Sequence, residues 1–356
     1  VKLICVINLQ RILDMADSNQ RLGDLPLPLV PHSIRSAFHV DERADSRFTG
    51  CARLLQALWR EARCLPMGRR ETSNGKTRLL GSLLSPEAAR AGAAFLTPDI
   101  ARITWRECAY REPGALIEEE RLWGNLLSSQ GLTFNLFALA RTDRNYATAV
   151  FSALAPETIG EVQEVRFEHS PGRGKADYIG DHTALDLVVR GLSPDGRPAI
   201  LGIEVKYAEQ SGQAYRRETE VLIERSREAG LHRDVSGALF RDAHLAQFAA
   251  EHLLTYCISK RMDESVAGAF MVIAPEDNAF IQSSCDRYEE ALTEGDGAVA
   301  FMNVSLERCI DVIGEAGWSD LGALLSERYA DFSPVHALID EWEPTFEHPA
   351  STGVTK

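Results

Sequence analysis

Two short apolar runs, residues 183–192 and 199–208, are joined by Ser193-Pro194-Asp195-Gly196, and this arrangement constrains the fold more than any other stretch of the chain. Pro and Gly in so short a link favour a tight reversal, and the aliphatic residues on either side favour strands. A β-hairpin is therefore expected. Asp186 and Glu204 stand equidistant from Asp195, so symmetric closure makes them cross-strand neighbours, about 5 Å apart at Cβ. Side chains alternate along a strand. Leu185, Leu187 and Val189 are expected to share one face with Leu201, Ile203, Val205 and Tyr207, and Ala184, Asp186 and Val188 to share the other with Gly202, Glu204 and Lys206. Two carboxylates and an ammonium then meet on one patch of an otherwise apolar sheet.

Adjacent carboxylates repel, and one takes up a proton unless a cation lies between them. A hard divalent ion such as Mg²⁺, with Mn²⁺ as a substitute, resolves the conflict because it takes oxygen ligands and keeps several waters. Asp186, Glu204 and the Val205 carbonyl are the candidate metal ligands. Lys206 is placed to act on a metal-held water or on charge developing at a phosphate. A surface salt-bridge cluster is the plainer explanation of the same residues.

Asp186 followed by Glu204-Val205-Lys206 resembles the motif of the PD-(D/E)XK nuclease superfamily, although Leu185 stands where that motif usually has Pro. Three further segments, Trp123-Gly124-Asn125-Leu126-Leu127-Ser128-Ser129-Gln130, Phe134-Asn135-Leu136-Phe137 and Phe167-Glu168-His169-Ser170-Pro171-Gly172-Arg173, resemble a restriction-endonuclease-like branch of bacterial proteins. The resemblance runs from about residue 47 to about residue 315. It implies an α/β (α+β) fold whose core is a central mixed β-sheet flanked by helices in αβββαβ order. It also implies a Mg²⁺-dependent endonuclease acting on DNA, in restriction, anti-phage defence or repair. Two further site residues come with the resemblance: Glu120, as the helical acid beside the metal, and Gln247, as a polar position on the helix packed against the sheet. Ala250 stands where that branch is expected to carry an Arg. A nuclease-like module that binds DNA or protein without cutting, and a nuclease acting on RNA, remain open alternatives.

The net charge of −14 argues against a nucleic-acid partner until its distribution is considered. Residues 1–112 carry +5, residues 113–260 carry −5, and residues 261–356 carry −14. A nuclease needs positive charge only where phosphates are contacted. Arg173 and Lys175 beside the hairpin, with Asn125, Ser129 and His169, are the candidate nucleic-acid contacts. Arg216, Arg217, Arg225 and Arg227, and Arg69, Arg70, Lys76 and Arg78 further upstream, are others.

Seven scattered cysteines without a C-x-x-C pair favour free thiols in a reducing cytoplasm. No apolar run approaches the length of a membrane span. The chain is expected to divide into a poorly ordered arm (1–31), an N-terminal helical region (32–112), the nuclease-like core (113–304) and acidic C-terminal helices with a tail (305–356). Within the core, one helix is expected over residues 116–130. A homodimer or an accessory protein is compatible with this organisation.

Overall fold

The hairpin closes as expected, and three further strands build a mixed sheet upon it. The structure is a computed structural model that describes residues 27–71, 75–209, 220–234, 238–242, 244–262, 265–293 and 299–342. A two-stranded ribbon pairs β1 (Met67–Glu71) with β2 (Thr77–Leu84). The main sheet has the order β3 (Glu161–His169), β4 (Leu185–Leu192), β5 (Pro198–Val205), β6 (Ala267–Ala274), β7 (Ala300–Ser305). The first three strands form an antiparallel meander, and β5, β6 and β7 run parallel. Parallel neighbours need a crossover, supplied between β5 and β6 by the helix Ala246–Met262.

The β4–β5 turn works as its residues predict. Gly196 takes φ +83°, a left-handed conformation that costs glycine little. The Ser193 backbone N–H donates to Arg197 O at 2.9 Å, and Ser193 Oγ accepts from Arg197 N–H at 3.1 Å. Pairs run in strict register from Leu192↔Pro198 to Leu187↔Ile203.

Each face of the sheet is buried. On one, Leu187, Val189, Leu201, Ile203, Val205 and Met271 join a core that runs from Leu27 to Leu338. On the other, Val188, Ile200, Phe270 and Val272 pack against Leu253 and Leu254 of the crossover helix. That helix is buried almost all round, from Ala246 to Ser259, as a helix apolar on every side must be. A Cβ at Gly202 would stand 2.3 Å from Thr255 Oγ1, so glycine there lets the crossover helix approach β5 closely. Leu185 departs from the expected alternation: it belongs with Val188 and Ile200 on the crossover-helix face.

Several expectations need correction. The N-terminal region is not all helical, because the β1–β2 ribbon interrupts it between the helices Arg47–Ala62 and Pro86–Arg90. Its signal was the dipeptide Asn74-Gly75, a strong hairpin marker. Residues 116–130 form two helical pieces. Asn125 turns extended (φ −97°, ψ 108°) after the helix Glu119–Gly124, Leu126 N–H bonds Ser82 O at 3.0 Å, and Ser128 caps a second helix, Ser129–Phe137. Backbone pairing with β2 has overridden helix continuity there. Of the supposed arm, residues 1–26 lie outside the described residues, while Leu27 and Val30 are buried.

The C-terminal helices are structural. Arg328 is buried with no carboxylate partner among the described residues; its Nε donates to Gln56 Oε1 at 3.1 Å and its guanidinium lies 4.2 Å from the Trp59 ring centre. Gln56 Nε2 donates to Arg328 O at 2.6 Å and to Tyr207 Oη at 3.3 Å. One glutamine thus fastens the last helices to the residue after Lys206. No helix among the described residues is long and apolar enough to cross a membrane.

Behind the crossover helix, Ser226, His232, Tyr288 and His252 form a buried chain of hydrogen bonds ending on Val299 O. Burial pushes His232 down to about 4 and His252 down to about 3, so both stay neutral in the fold. In the unfolded chain they titrate near 6.5. The unfolded state therefore binds more protons below that value, and this contribution to stability is lost as pH falls from about 6.5 toward 4. The destabilisation caused by His252→Gln, measured by urea unfolding, should shrink between pH 7 and pH 5. A difference that stays constant would show that His252 takes up protons alike in the folded and unfolded chain, against its burial as a neutral ring.

Candidate active site

The β4–β5 ladder stops at Leu187↔Ile203, one step short of the acids. Continued by one residue, its register sets Asp186 across from Glu204. Instead of a further ladder bond, Asp186 Oδ2 accepts the Val205 N–H at 2.8 Å. The carboxylate thereby ends the pairing of the two strands.

Glu204 and Lys206 are anchored together. Lys206 Nζ donates to Glu204 Oε1 at 2.6 Å and to Gln247 Oε1 at 3.2 Å, and Gln247 Nε2 returns to Glu204 Oε1 at 2.9 Å. An amide set between a carboxylate and an ammonium has one satisfying orientation, with N toward the acid and O toward the cation. Gln247 Nε2 also donates to Glu251 Oε1 at 2.7 Å, whereas Glu251 Oε2 is buried with no hydrogen-bond partner among the described residues. Gln247, Glu251 and Thr255 recur every four residues on the side of the helix facing β5.

A third acid joins from β3. The pairs Phe167↔Leu187 and His169↔Leu185 place Glu168 across from Asp186, so Glu168, Asp186 and Glu204 form a row over three adjacent strands. Glu168 is 8% exposed, takes φ +48°, and accepts a hydrogen bond at Oε1 from Gln130 Nε2. A left-handed backbone is uncommon for a non-glycine residue and costs energy.

The electrostatics follow from this crowding. Burial pushes the Asp186 carboxyl well above its ordinary value, and the charges of Glu204 and Glu168 add to the effect. Glu251 is raised by burial and by Glu204. Glu168 is pushed up to about 7 by burial, against the Gln130 hydrogen bond, with Glu204 adding to the rise. Burial works against the Lys206 charge, but Glu204, Glu251, Glu209 and Asp186 outweigh it and hold the ammonium above the usual lysine range.

Other residues singled out in the sequence are placed differently. Glu120 is exposed in the first turn of Glu119–Gly124 and lines a cleft of about 710 Å³ with Arg53, Arg70, Arg121, Asn125 and Glu209. Among the described residues it makes no hydrogen bond or ion pair with Asp186 or Glu204. Asn125 accepts the Leu127 N–H at 3.1 Å, and Ser129 begins its helix. His169 is 3% exposed and bonded through Nδ1 to Glu112 at 2.5 Å, and its Nε2 is buried with no partner among the described residues. Arg173 reaches the carbonyls of Glu168 and His182 at 3.5 and 3.4 Å, and Lys175 is exposed. Arg225 is engaged by Tyr178 O, Ala176 O and Glu228, while Arg216 and Arg217 lie outside the described residues.

Glu168 and Glu251 escaped the sequence reading. Glu251 had a signal, an acid four residues after Gln247 in an otherwise apolar helix. Glu168 stood within a segment that carries the family resemblance, but nothing in that segment placed it at the site, because its placement depends on the β3–β4 register and on its own φ.

Among the described residues, no group of three or more His, Cys, Asp or Glu side chains is set to hold a metal ion. Two carboxylates with a carbonyl and waters remain a donor set suited to Mg²⁺. Asp186 Oδ2 and Glu204 Oε1 are taken by the protein. The second oxygen of each carboxylate has no donor among the described residues, and the pair fits a divalent cation. Asp186→Asn keeps an acceptor for Val205 and removes a charge from the row, so it should raise the melting temperature of the metal-free protein. Lys206→Met should lower stability by about 3–5 kcal/mol, because it strands a buried carboxylate. Thermal and urea unfolding in chelator check both; a fall for Asp186→Asn would refute the repulsive row.

The sequence profile of the PD-(D/E)XK nuclease superfamily matches residues 43–331. No curated protein and no solved structure matches the chain. The match contains the mixed sheet, its crossover helix and the Asp186, Glu204 and Lys206 cluster. The chain belongs to the PD-(D/E)XK nuclease superfamily.

Proposed function

We propose that this chain is a metal-dependent nuclease hydrolysing DNA phosphodiester bonds, with Mg²⁺ as its ion and Mn²⁺ able to replace it. The observation that carries the reading is the arrangement of Asp186, Glu204 and Lys206 at the end of a shared ladder, clamped by Gln247. Asp186, Glu204 and the Val205 carbonyl would hold the cation. When bound, such an ion supplies a Lewis acid for the scissile phosphate and lowers the pKa of its water.

The protein's own groups have separable tasks. Lys206 Nζ stands between two acceptors, Glu204 Oε1 and Gln247 Oε1, an environment for an ammonium. It acts by donating to a phosphate oxygen and offsetting charge there. Gln247 fixes the direction of both Lys206 and Glu204. Arg173 and Lys175, on the loop between β3 and β4, are the candidate phosphate contacts. The C-terminal acids serve no contact with DNA. Six free cysteines among the described residues suit a reducing compartment such as the cytoplasm.

Plasmid cleavage with and without Mg²⁺ tests the reading. Asp186→Ala and Glu204→Ala should abolish cleavage, and Lys206→Ala should lower kcat by about 10²-fold or more with little change in metal requirement. Binding of duplex DNA by Asp186→Ala in Ca²⁺ should weaken steeply with salt, and further on charge reversal at Arg173 and Lys175. Binding without cutting by the wild type would favour a non-catalytic module, and cleavage confined to RNA would change the substrate.

A further inference from the structure

The row of acids across β3, β4 and β5 has more members than a single metal pair uses. Directly opposed like charges destabilise a sheet, and the cations available at the row sit at its ends. Lys206 is bonded to Glu204, and Arg173 lies beside the Glu168 carbonyl. Asp186, in the middle, accepts the Val205 N–H and makes no ion pair among the described residues. Glu168 also occupies its place at a backbone cost, φ +48°, and is held there by Gln130, which donates as well to Leu116 O at 3.2 Å. A surface glutamate would have no use for such anchoring. Among the described residues no three acids are grouped to hold an ion together, so the part open to Glu168 is an indirect one.

We propose that Glu168 is a positioning residue of the cation site, acting on the bound ion through its charge and through water held by the ion, with Gln130 as its anchor. The proposal rests on the metal-site reading above. Mg²⁺ and Mn²⁺ retain waters when two carboxylates bind them, and carboxylates that orient such outer groups commonly affect affinity by about 10–100-fold.

Mn²⁺ titrated into the full-length protein, followed by calorimetry and by the melting temperature, provides the test without reference to cleavage. Glu168→Gln keeps an oxygen for Gln130 and removes the charge. Its affinity for Mn²⁺ should be about tenfold weaker, while its metal-free melting temperature equals or exceeds that of the wild type. Gln130→Ala, which leaves every carboxylate in place, should weaken Mn²⁺ binding by a smaller factor. Glu157→Gln, an exposed charge in the turn before β3, should change neither quantity. Wild-type affinity in Glu168→Gln, or a fall in its metal-free melting temperature with affinity intact, would overturn the proposal alone. Absence of any Mn²⁺ binding by the wild type would overturn it together with the metal site on which it rests.

Discussion

One hydrogen bond, from the Val205 N–H to Asp186 Oδ2, decides where the sheet ends and the site begins. A further ladder bond would have sealed β4 against β5 through Glu204. The carboxylate takes that donor instead, so two neighbouring strands part where their acids face each other. The geometry requires a tight turn in fixed register nine residues away at Asp195, because a slip of one residue would send Glu204 to the opposite face. It also requires Gly202, whose missing side chain admits the helix that carries Gln247 and Glu251.

The core of this arrangement was legible in the sequence because it is local. Symmetry about Asp195, period-2 alternation and turn chemistry were enough to pair Asp186 with Glu204, and the apolar crossover helix was readable as a buried segment. Features that depend on contacts between distant segments were not. The helix over residues 116–130 breaks because Leu126 bonds to Ser82, more than forty residues earlier in the chain. Glu168 enters the site through its register with β4 and a left-handed φ that no side-chain pattern encodes. His169, plausible as a phosphate ligand from its position beside the motif, is taken by Glu112. The alternation argument also failed at Leu185, next to the point where the strands part.

The flanking regions give the site its rigidity. The N-terminal and C-terminal helices bury one face of the sheet in a continuous core, so the boundaries drawn at residues 112 and 304 do not separate independent cores. Among the described residues, Arg328 is held in this interior by the Ala94 carbonyl, Gln56 and aromatic rings rather than by an acid. Tyr207, immediately after Lys206, touches Gln56, Phe48 and Tyr329. The chain leaving the active strand is thus fixed by residues contributed from both ends of the sequence.

The crossover helix supplies Gln247 and Glu251 from a later part of the sequence than the meander that supplies the three acids of the row. Hairpin contacts close short loops and form quickly, whereas docking that helix closes a longer one. The amide clamp on Glu204 and Lys206 is therefore the costlier closure of the site, and every change that loosens the docking of that helix falls on the two charges it holds.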